Sequence, residues 1–283
     1  MQDDMNNIDK YGFDYDMKPG VYQWYRSDTE EKYKQNTENA VRREILKENG
    51  WYPLHSTEQF NYTLNNYGFR THEFPTQKEP DSIITLGCSL TMGIGIPNEY
   101  VWPVLLEKDL NRKVYNLGVG ARCTESAFRY LYHWLPVIQS KTVIYAQHPG
   151  KRREYFNTEK QSWQCLGAWN ENEISHYFMN DREWSMAQER AIWAMRGLCS
   201  QYGAKFCHIP QISPQKVLPN GTKYIFHKGK MNNRTVTNPI LPPSNPNDMP
   251  LNLAEYKGTL ARDLEHPGTD YQQRMFESVL GSL

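Results

Sequence analysis

A buried strand followed by a serine and two glycines is the feature of this chain that most restricts its fold. Residues 82–86 read Ser-Ile-Ile-Thr-Leu, and the next nine residues read Gly-Cys-Ser-Leu-Thr-Met-Gly-Ile-Gly, so Ser89 lies just beyond the strand. Gly93 and Gly95 permit backbone turns that a side chain would block. Open α/β sheets place their chemistry at the carboxyl ends of their strands, so we predict that the Ser89 hydroxyl lies at such an edge.

The order of the other periodic segments predicts the class of fold. Strand-like and helix-like runs alternate after residue 81, and this alternation builds a parallel sheet covered by helices. We therefore predict an α/β protein. The predicted strands are Ser82–Leu86, Val114–Asn116, Thr142–Ala146 and Ala204–Ile209, and the predicted helices are Tyr100–Leu110, Thr124–Leu135, Asp181–Tyr202 and a last helix from about Asp270, which is taken as its N-cap.

Two regions depart from the alternating pattern. Residues 1–80 are predicted to form an N-terminal extension, in which a charged helix covers Thr29–Asn49 and short strands and turns follow. We assign no catalytic residue to this extension. The α/β domain then covers residues 81–283. Within it, residues 210–256 are rich in proline and asparagine, which favours a long loop that could wall a substrate cleft.

Composition excludes several classes of function. Lysine plus arginine and aspartate plus glutamate both total 32 among 283 residues, so no strong field attracts nucleic acid or an anionic membrane surface. The first residues contain no basic and apolar leader, so we expect no signal peptide and no membrane span. We expect a soluble protein. It would be either cytoplasmic, or released or built into an assembly by a route that needs no signal peptide. Five cysteines without C-x-x-C spacing indicate free thiols.

An acid and an imidazole near the end of the chain complement Ser89. Residues 263–266 read Asp-Leu-Glu-His, so Asp263 and His266 are three residues apart and can make contact within one turn. A serine hydroxyl is a weak nucleophile until an imidazole takes its proton, and a carboxylate holds that imidazole in one tautomer. These residue types predict a serine nucleophile, a general base and its orienting partner.

Three motifs occur in the order found in the SGNH, or GDSL-like, hydrolase family. They are the segment around Ser89, the Asn-Leu-Gly-Val-Gly-Ala string over residues 116–121, and Asp263-x-x-His266; residues 66–70 are similar to the segment that precedes the serine in many members. The chain resembles this family over about residues 60–150 and 258–283. The resemblance implies a flavodoxin-like three-layer α/β/α sandwich. It also implies cofactor-free hydrolysis of esters, often acetyl or acyl groups on carbohydrates or lipids.

Carried over by position, the family pattern makes Ser89 the nucleophile, His266 the general base and Asp263 its partner. The oxyanion hole would contain the backbone N–H groups of Ser89 and Ala121, where Ala121 stands at a position that is glycine in the family. Such donors each contribute about 10²–10³ in rate.

The chain departs from the family at two positions. The asparagine that supplies a third oxyanion donor is absent, because the predicted strand 142–146 is followed by Gln147-His148-Pro-Gly-Lys-Arg152. We hypothesise that Gln147 or His148 takes its place, since both side chains can donate a hydrogen bond, with Arg152 a weaker candidate. The aspartate of the Gly-Asp-Ser signature is replaced by Cys88.

The alternatives to these assignments are specific. Cys88 could be the nucleophile, but neighbouring strand residues face opposite sides and we favour the serine. Cys199 with Cys207-His208 matches no common zinc spacing, so core packing is the preferred interpretation. Our prediction is a serine esterase acting on an O-acetyl or other acyl ester, on a small molecule or a glycan. Two functions remain open beside it: a catalytically impaired glycan-binding or structural subunit of an assembly, and an acyltransferase using the same residues.

Overall fold

The structure, a computed structural model, describes residues 19–53, 60–148, 151–167, 181–209, 229–231, 234–236, 259–281 and 283. Most of the loop predicted over residues 210–256 therefore lies outside the described residues. In chain order the elements are β1 (Gly20–Tyr22), α1 (Glu30–Glu38), α2 (Ala40–Glu48), β2 (Tyr62–Leu64), β3 (Ile83–Leu86), α3 (Ser89–Met92), α4 (Trp102–Leu110), β4 (Val114–Asn116), α5 (Thr124–Ile138), β5 (Thr142–Ala146), β6 (Arg153–Asn157), β7 (Ser162–Leu166), α6 (Asp181–Gln201), β8 (Lys205–Ile209), β9 (Gly229–Met231), β10 (Arg234–Val236) and α7 (Thr269–Leu280).

A four-stranded parallel sheet with the order β4-β3-β5-β8 organises the α/β part of the chain. Ile83 of β3 pairs with Val114 on one side and with Thr142 on the other, and β5 pairs with β8 along its whole length. Every residue of β3 and β5 is buried, which explains why these strands read as continuous runs with little polarity. The predicted parallel sheet is confirmed.

Helices cover both faces of the sheet. One apolar cluster joins Ile84, Leu86 and Tyr145 to side chains of α5 and α6. A second joins Ile83, Ile144 and Ala146 to side chains of α4 and α7 on the opposite face. The predicted three-layer α/β/α arrangement is therefore confirmed, and no described helix is long and apolar enough to cross a membrane.

The connections that follow β3 and its two neighbouring strands run to opposite faces of the sheet. The chain leaves β3 toward α4 on one face of the sheet, whereas β4 and β5 lead to α5 and α6 on the other face. Ligands of open α/β sheets bind where neighbouring strands send their connections to opposite faces. Ser89 is the first residue of α3, directly at this point.

Three sequence predictions about local structure were wrong. The helix predicted over Thr29–Asn49 is two helices, because the Asn39 side chain accepts hydrogen bonds from Val41 and Arg42 N–H groups and caps a new helix. Asp270 does not cap the last helix; the N-cap is Gly268, and Asp270 Oδ1 instead accepts from Thr259 N at 2.9 Å. The helix predicted to end at Leu135 continues through Pro136 to Ile138, whose side chain is fully buried.

The N-terminal extension packs against two segments of the α/β part. These are residues 89–96, here called the Ser89 segment, and residues 259–268, here called the C-terminal loop. One apolar cluster contains side chains from all three: Tyr25, Leu46, Trp51, Phe60, Tyr62, Leu64, Met92, Ile94, Leu260 and Leu264. The division of the chain at residue 80 stays a prediction.

A buried ion pair joins the extension to the C-terminal loop. Arg262 Nε and Nη2 donate to both carboxylate oxygens of Asp28 at 2.6–3.2 Å, and the two side chains are 0% and 1% exposed. Tyr62 donates to Asp28 Oδ2 at 2.5 Å, and Arg262 also donates to the Gln23 carbonyl at 2.8 Å. The guanidinium lies 4.0 Å from the centre of the Trp24 ring. Both charges are thus surrounded by polar or aromatic partners.

Replacing Asp28 by alanine should lower the free energy of unfolding by about 3–5 kcal/mol, because the change leaves the Arg262 charge buried without its partner. Urea unfolding measures this loss. The double variant Asp28→Ala/Arg262→Met should recover most of it. Glu30→Ala is the matched control, since it removes an exposed pair with Lys34 in the same extension, which contributes little. Equal losses in Asp28→Ala and in the double variant would contradict the prediction.

Candidate active site

The geometry around Ser89 follows from a close turn at the end of β3. The short helix α3 begins at Ser89 and ends at Gly93, whose φ of 77° lies in the left-handed region that favours glycine. The Ser89 side chain is largely buried, and its hydroxyl lies 3.8 Å from Cys88 Sγ, to which it donates. Cys88 itself packs in the apolar cluster under α4 and α7. The serine and the cysteine therefore differ in environment, with the thiol in the core.

The C-terminal loop brings Asp263 and His266 together. Leu260 and Pro267 form an isolated β-bridge that closes the loop, and Ala261 N donates to the His266 carbonyl at 2.9 Å. The Nδ1 atom of His266 lies 2.7 Å from Asp263 Oδ2. Asp263 is fully buried as a side chain, whereas the His266 ring keeps 16% of its side-chain exposure. The predicted contact across three residues is thus present.

Charge stabilises this pair in its ionised form. Burial alone would raise the pKa of Asp263, but the His266 charge and hydrogen bond, with Lys32 and the Glu265 N–H, hold that pKa well below its ordinary value. Burial opposes protonation of His266, but the charge and hydrogen bond of Asp263 outweigh it and raise the pKa of His266. Glu265 pairs with Lys32 of α1 instead of joining the dyad. At neutral pH Asp263 is therefore ionised, and its charge favours the imidazolium form of His266.

The C-terminal loop lies directly against the Ser89 segment. Arg262 N donates to the Gly95 carbonyl at 3.1 Å, and Gln272 Nε2 of α7 donates to the Leu90 carbonyl at 3.0 Å. Among the described residues, no hydrogen bond joins Ser89 to His266, and the second ring nitrogen of His266 has no hydrogen-bond partner there. Catalytic hydrogen bonds are often long in the absence of substrate.

Ala121 lies in a loop after β4 that is hydrogen-bonded to the backbone on both sides of Ser89. Asn116 Nδ2 donates to the Thr91 carbonyl at 2.8 Å, its Oδ1 accepts from Gly118 N at 3.0 Å, and Val119 N donates to the Gly87 carbonyl at 3.3 Å. Asn116 is thus a structural residue. Ala121 has a φ of 61°, a left-handed conformation that suits the glycine expected at this position. Within the described part of the chain, neither the Ser89 N–H nor the Ala121 N–H donates to an acceptor.

Gln147 and His148 lie in a buried polar network between the sheet and the helices α5 and α6. His208 Nε2 donates to Gln147 Oε1 at 3.0 Å, and Gln147 Nε2 donates to Gln188 Oε1 at 3.3 Å. His148 Nε2 lies 3.5 Å from Thr124 Oγ1. Among the described residues, Gln147 Nε2 has one acceptor, and its second amide hydrogen could bond to another.

Burial keeps His208 of this network uncharged, and the other candidate residues lie apart from the network. Burial, helped by the charge of Arg196, lowers the pKa of His208 to about 3. Arg152 Nη1 donates to the Arg122 carbonyl at 3.1 Å, next to Ala121. Cys199 and Cys207 pack in the clusters on opposite faces of the sheet, and among the described residues no group of three metal-ligating side chains could hold an ion.

Two functional neighbours of the site were not predicted from the sequence. Arg70 is buried, and its guanidinium donates to the carbonyls of Met92, Gly93 and Ile96 at 2.6–3.3 Å, which holds the Ser89 segment in its turn. Burial lowers the pKa of Arg70 to about 10. The other residue is Ser27, whose hydroxyl donates to Asp263 Oδ2 at 2.8 Å. Arg70 ends the string at residues 66–70 and could have been singled out, whereas Ser27 has no signal in the sequence.

Gly118→Ala should destabilise the protein by about 1–3 kcal/mol in urea unfolding, because the new methyl group would lie 2.8 Å from both Met92 N and Thr91 Cβ of the Ser89 segment. Gly120→Ala is the matched control. Its methyl group would lie 2.8 Å from the flexible end of Ile94 and at an ordinary 3.8 Å from Arg26 Cγ, so the change should cost less. A Gly120→Ala variant as destabilised as Gly118→Ala would contradict this account of the loop contact.

Comparison with known proteins adds solved structures of similar fold. No protein-family model matches the chain, and no curated protein matches it. The chain is similar to TesA, with 14% identity over 71% of this chain and 97% of that chain and a TM-score of 0.42. It is also similar to a putative lipolytic protein of the G-D-S-L family from Desulfitobacterium hafniense DCB-2, with 12% identity over 72% of this chain and 99% of that chain and a TM-score of 0.42. A third similar structure is the acetyl xylan esterase AlAXEase, with 13% identity over 71% of this chain and 99% of that chain and a TM-score of 0.41. At these identities and TM-scores the likeness carries no conclusion about activity.

Proposed function

We propose that this chain is a cofactor-independent serine esterase, in which Ser89, His266 and Asp263 form the catalytic triad. The contact that supports this most directly is the hydrogen bond of 2.7 Å between a buried Asp263 and a partly exposed His266. That pair sits on a loop whose backbone is bonded to the segment following Ser89. A buried carboxylate behind an accessible imidazole is the arrangement that general-base catalysis needs.

The proposed mechanism proceeds through an acyl-enzyme. His266 Nε2 takes the Ser89 proton as Oγ attacks the ester carbonyl, and the N–H groups of Ser89 and Ala121 bind the oxyanion. The imidazolium then protonates the departing alcohol, which leaves the acyl group on Ser89. A water molecule that gives its proton to His266 then attacks this ester. The bond between the acyl carbon and Ser89 Oγ breaks, the imidazolium returns the proton to Ser89 Oγ, and the carboxylic acid product leaves. Gln147 or His148 would supply the third oxyanion donor.

The substrate class follows from the family resemblance of the three motifs. We propose an O-acetyl or other short acyl ester, with a carbohydrate as the alcohol. Transfer of the acyl group to another alcohol uses the same first half of the reaction, so an added acceptor alcohol would reveal an acyltransferase by its ester product.

Two observations favour a second function. Among the described residues Ser89 bonds to Cys88 and not to His266, and the third oxyanion asparagine of the family is absent. A chain with this fold could bind a glycan, or serve as a structural subunit of an assembly, without catalysis. Reactivity of Ser89 separates the two functions.

Replacing Ser89 by alanine should abolish both labelling by a fluorophosphonate probe and hydrolysis of p-nitrophenyl acetate, because the probe and the ester both require an activated serine. Labelling followed by gel fluorescence, together with initial rates, measures both. Ser82→Ala is the control, since Ser82 lies just before the same strand and donates to the Glu79 carbonyl. Labelling that survives in Ser89→Ala, or that is missing from the wild-type protein, would refute the esterase.

The value of kcat/KM should rise with pH around a midpoint above about 6.5, the ordinary pKa of histidine, because the Asp263 carboxylate raises the pKa of His266 and only the neutral ring accepts a proton. In Asp263→Asn the carboxylate that raises the His266 pKa is gone, while burial still lowers that pKa. The rise of kcat/KM on the acidic side of the profile, here called the acid limb, should therefore move to lower pH, and kcat should fall about 10³- to 10⁴-fold. A pH–rate profile measures both effects. An acid limb that stays in place in this variant would assign the limb to another group.

A further inference from the structure

The Asp263 carboxylate is held by four donors, and one of them comes from the N-terminal extension. Oδ1 accepts from the backbone N–H groups of Glu265 and His266 at 3.0 and 3.1 Å. Oδ2 accepts from His266 Nδ1 at 2.7 Å and from Ser27 Oγ at 2.8 Å. Three of these donors belong to the same loop as the acid, whereas Ser27 is 236 residues away in sequence.

Ser27 is itself held in place by a tight turn. Tyr25 and Asp28 exchange backbone hydrogen bonds of 2.8 and 3.0 Å around Arg26 and Ser27, and Arg26 has a φ of 55°. The next residue, Asp28, forms the buried ion pair with Arg262. Two consecutive residues of the extension therefore bind two consecutive residues of the C-terminal loop, which determines where the Ser27 hydroxyl points.

The position of Ser27 on Oδ2 has two physical consequences. With the imidazole and the hydroxyl on the same oxygen, and two amides on the other, the carboxylate cannot rotate without breaking a hydrogen bond. The hydroxyl also withdraws negative charge from the oxygen that faces His266, since hydrogen bonds stabilise the ionised form of a carboxyl group. Removing the hydroxyl leaves more negative charge on Asp263 Oδ2 and leaves the carboxylate less firmly oriented.

We infer that Ser27 is a positioning residue of the active site, which aligns Asp263 and limits how strongly Asp263 holds the proton on His266. The inference rests on the proposed esterase function. It makes the N-terminal extension a component of the site, in contrast to the expectation from sequence.

Four other charged side chains surround Asp263 and His266. Glu265 on the same loop and Lys32 of α1 both act on His266. The Asp28–Arg262 pair lies beside Asp263, and the charges of Asp28 and Asp263 repel each other. None of these groups is altered when Ser27 is replaced, so a changed titration of His266 reports the lost hydroxyl.

Ser27→Ala should lower kcat for p-nitrophenyl acetate about 5- to 50-fold with KM changed less than about twofold, because misalignment of the base affects the chemical step. The acid limb of kcat/KM should move upward by about half a pH unit to one unit. Ser27→Thr keeps the hydroxyl and should restore both values. Thr37→Ala is the control, since Thr37 is an exposed hydroxyl of the same extension that donates to the Lys34 carbonyl.

Nuclear magnetic resonance titration of His266 provides a readout that does not depend on activity. The His266 pKa should be higher in Ser27→Ala than in the wild-type protein and unchanged in Thr37→Ala. An unchanged His266 pKa, or a loss of activity that Ser27→Thr fails to restore, would overturn the role of Ser27. If the titration moves as expected but hydrolysis never depends on Ser89, the proposed esterase fails and the positioning of Asp263 stands.

Discussion

The buried ion pair between Arg262 and Asp28 is the interaction on which the geometry of the site depends. Each charge would cost several kcal/mol to bury alone, and each is surrounded here by further hydrogen bonds and aromatic rings. Such a pair is specific in position, because a shift of either segment by one residue would leave a charge unpartnered. The pair aligns the extension with the C-terminal loop, and the neighbouring contact of Ser27 with Asp263 follows from that alignment.

The remaining parts of the site converge through the sheet. Parallel strands end at one edge, and the turns that follow β3 and β4 there are bonded to each other through Asn116, while Arg70 holds the Ser89 segment from the side of the extension. The C-terminal loop contacts the Ser89 segment at Gly95, and Gln272 of the following helix α7 contacts it at Leu90. The proposed nucleophile, its base and the oxyanion amides thus come from three separate turns. Each turn is positioned by hydrogen bonds to its backbone that do not involve the proposed catalytic side chains.

The central fold could be predicted from the sequence because its physical signal is local. β4 and β5 have the bounds that were predicted, because strands buried on both faces are mostly apolar and so stand out in the sequence. The contact between Asp263 and His266 was also predictable, since it needs only a turn of three residues. The hairpin of β6 and β7 was missed because its strands are mostly half-exposed and lack an apolar run. The contact of Ser27 with Asp263 could not be predicted, because it depends on which distant segments meet.

Linking residue 28 to residue 262 also has a consequence for synthesis on the ribosome. The two partners are separated by 234 residues, and translation at about 5–20 residues per second delivers the second one on the order of 10–50 s after the first. During that interval the nascent extension carries Asp28 without its arginine, and the turn at Ser27 has no carboxylate to bind. The site therefore cannot mature before the C-terminal loop has been synthesised, and chains truncated before this loop never acquire it.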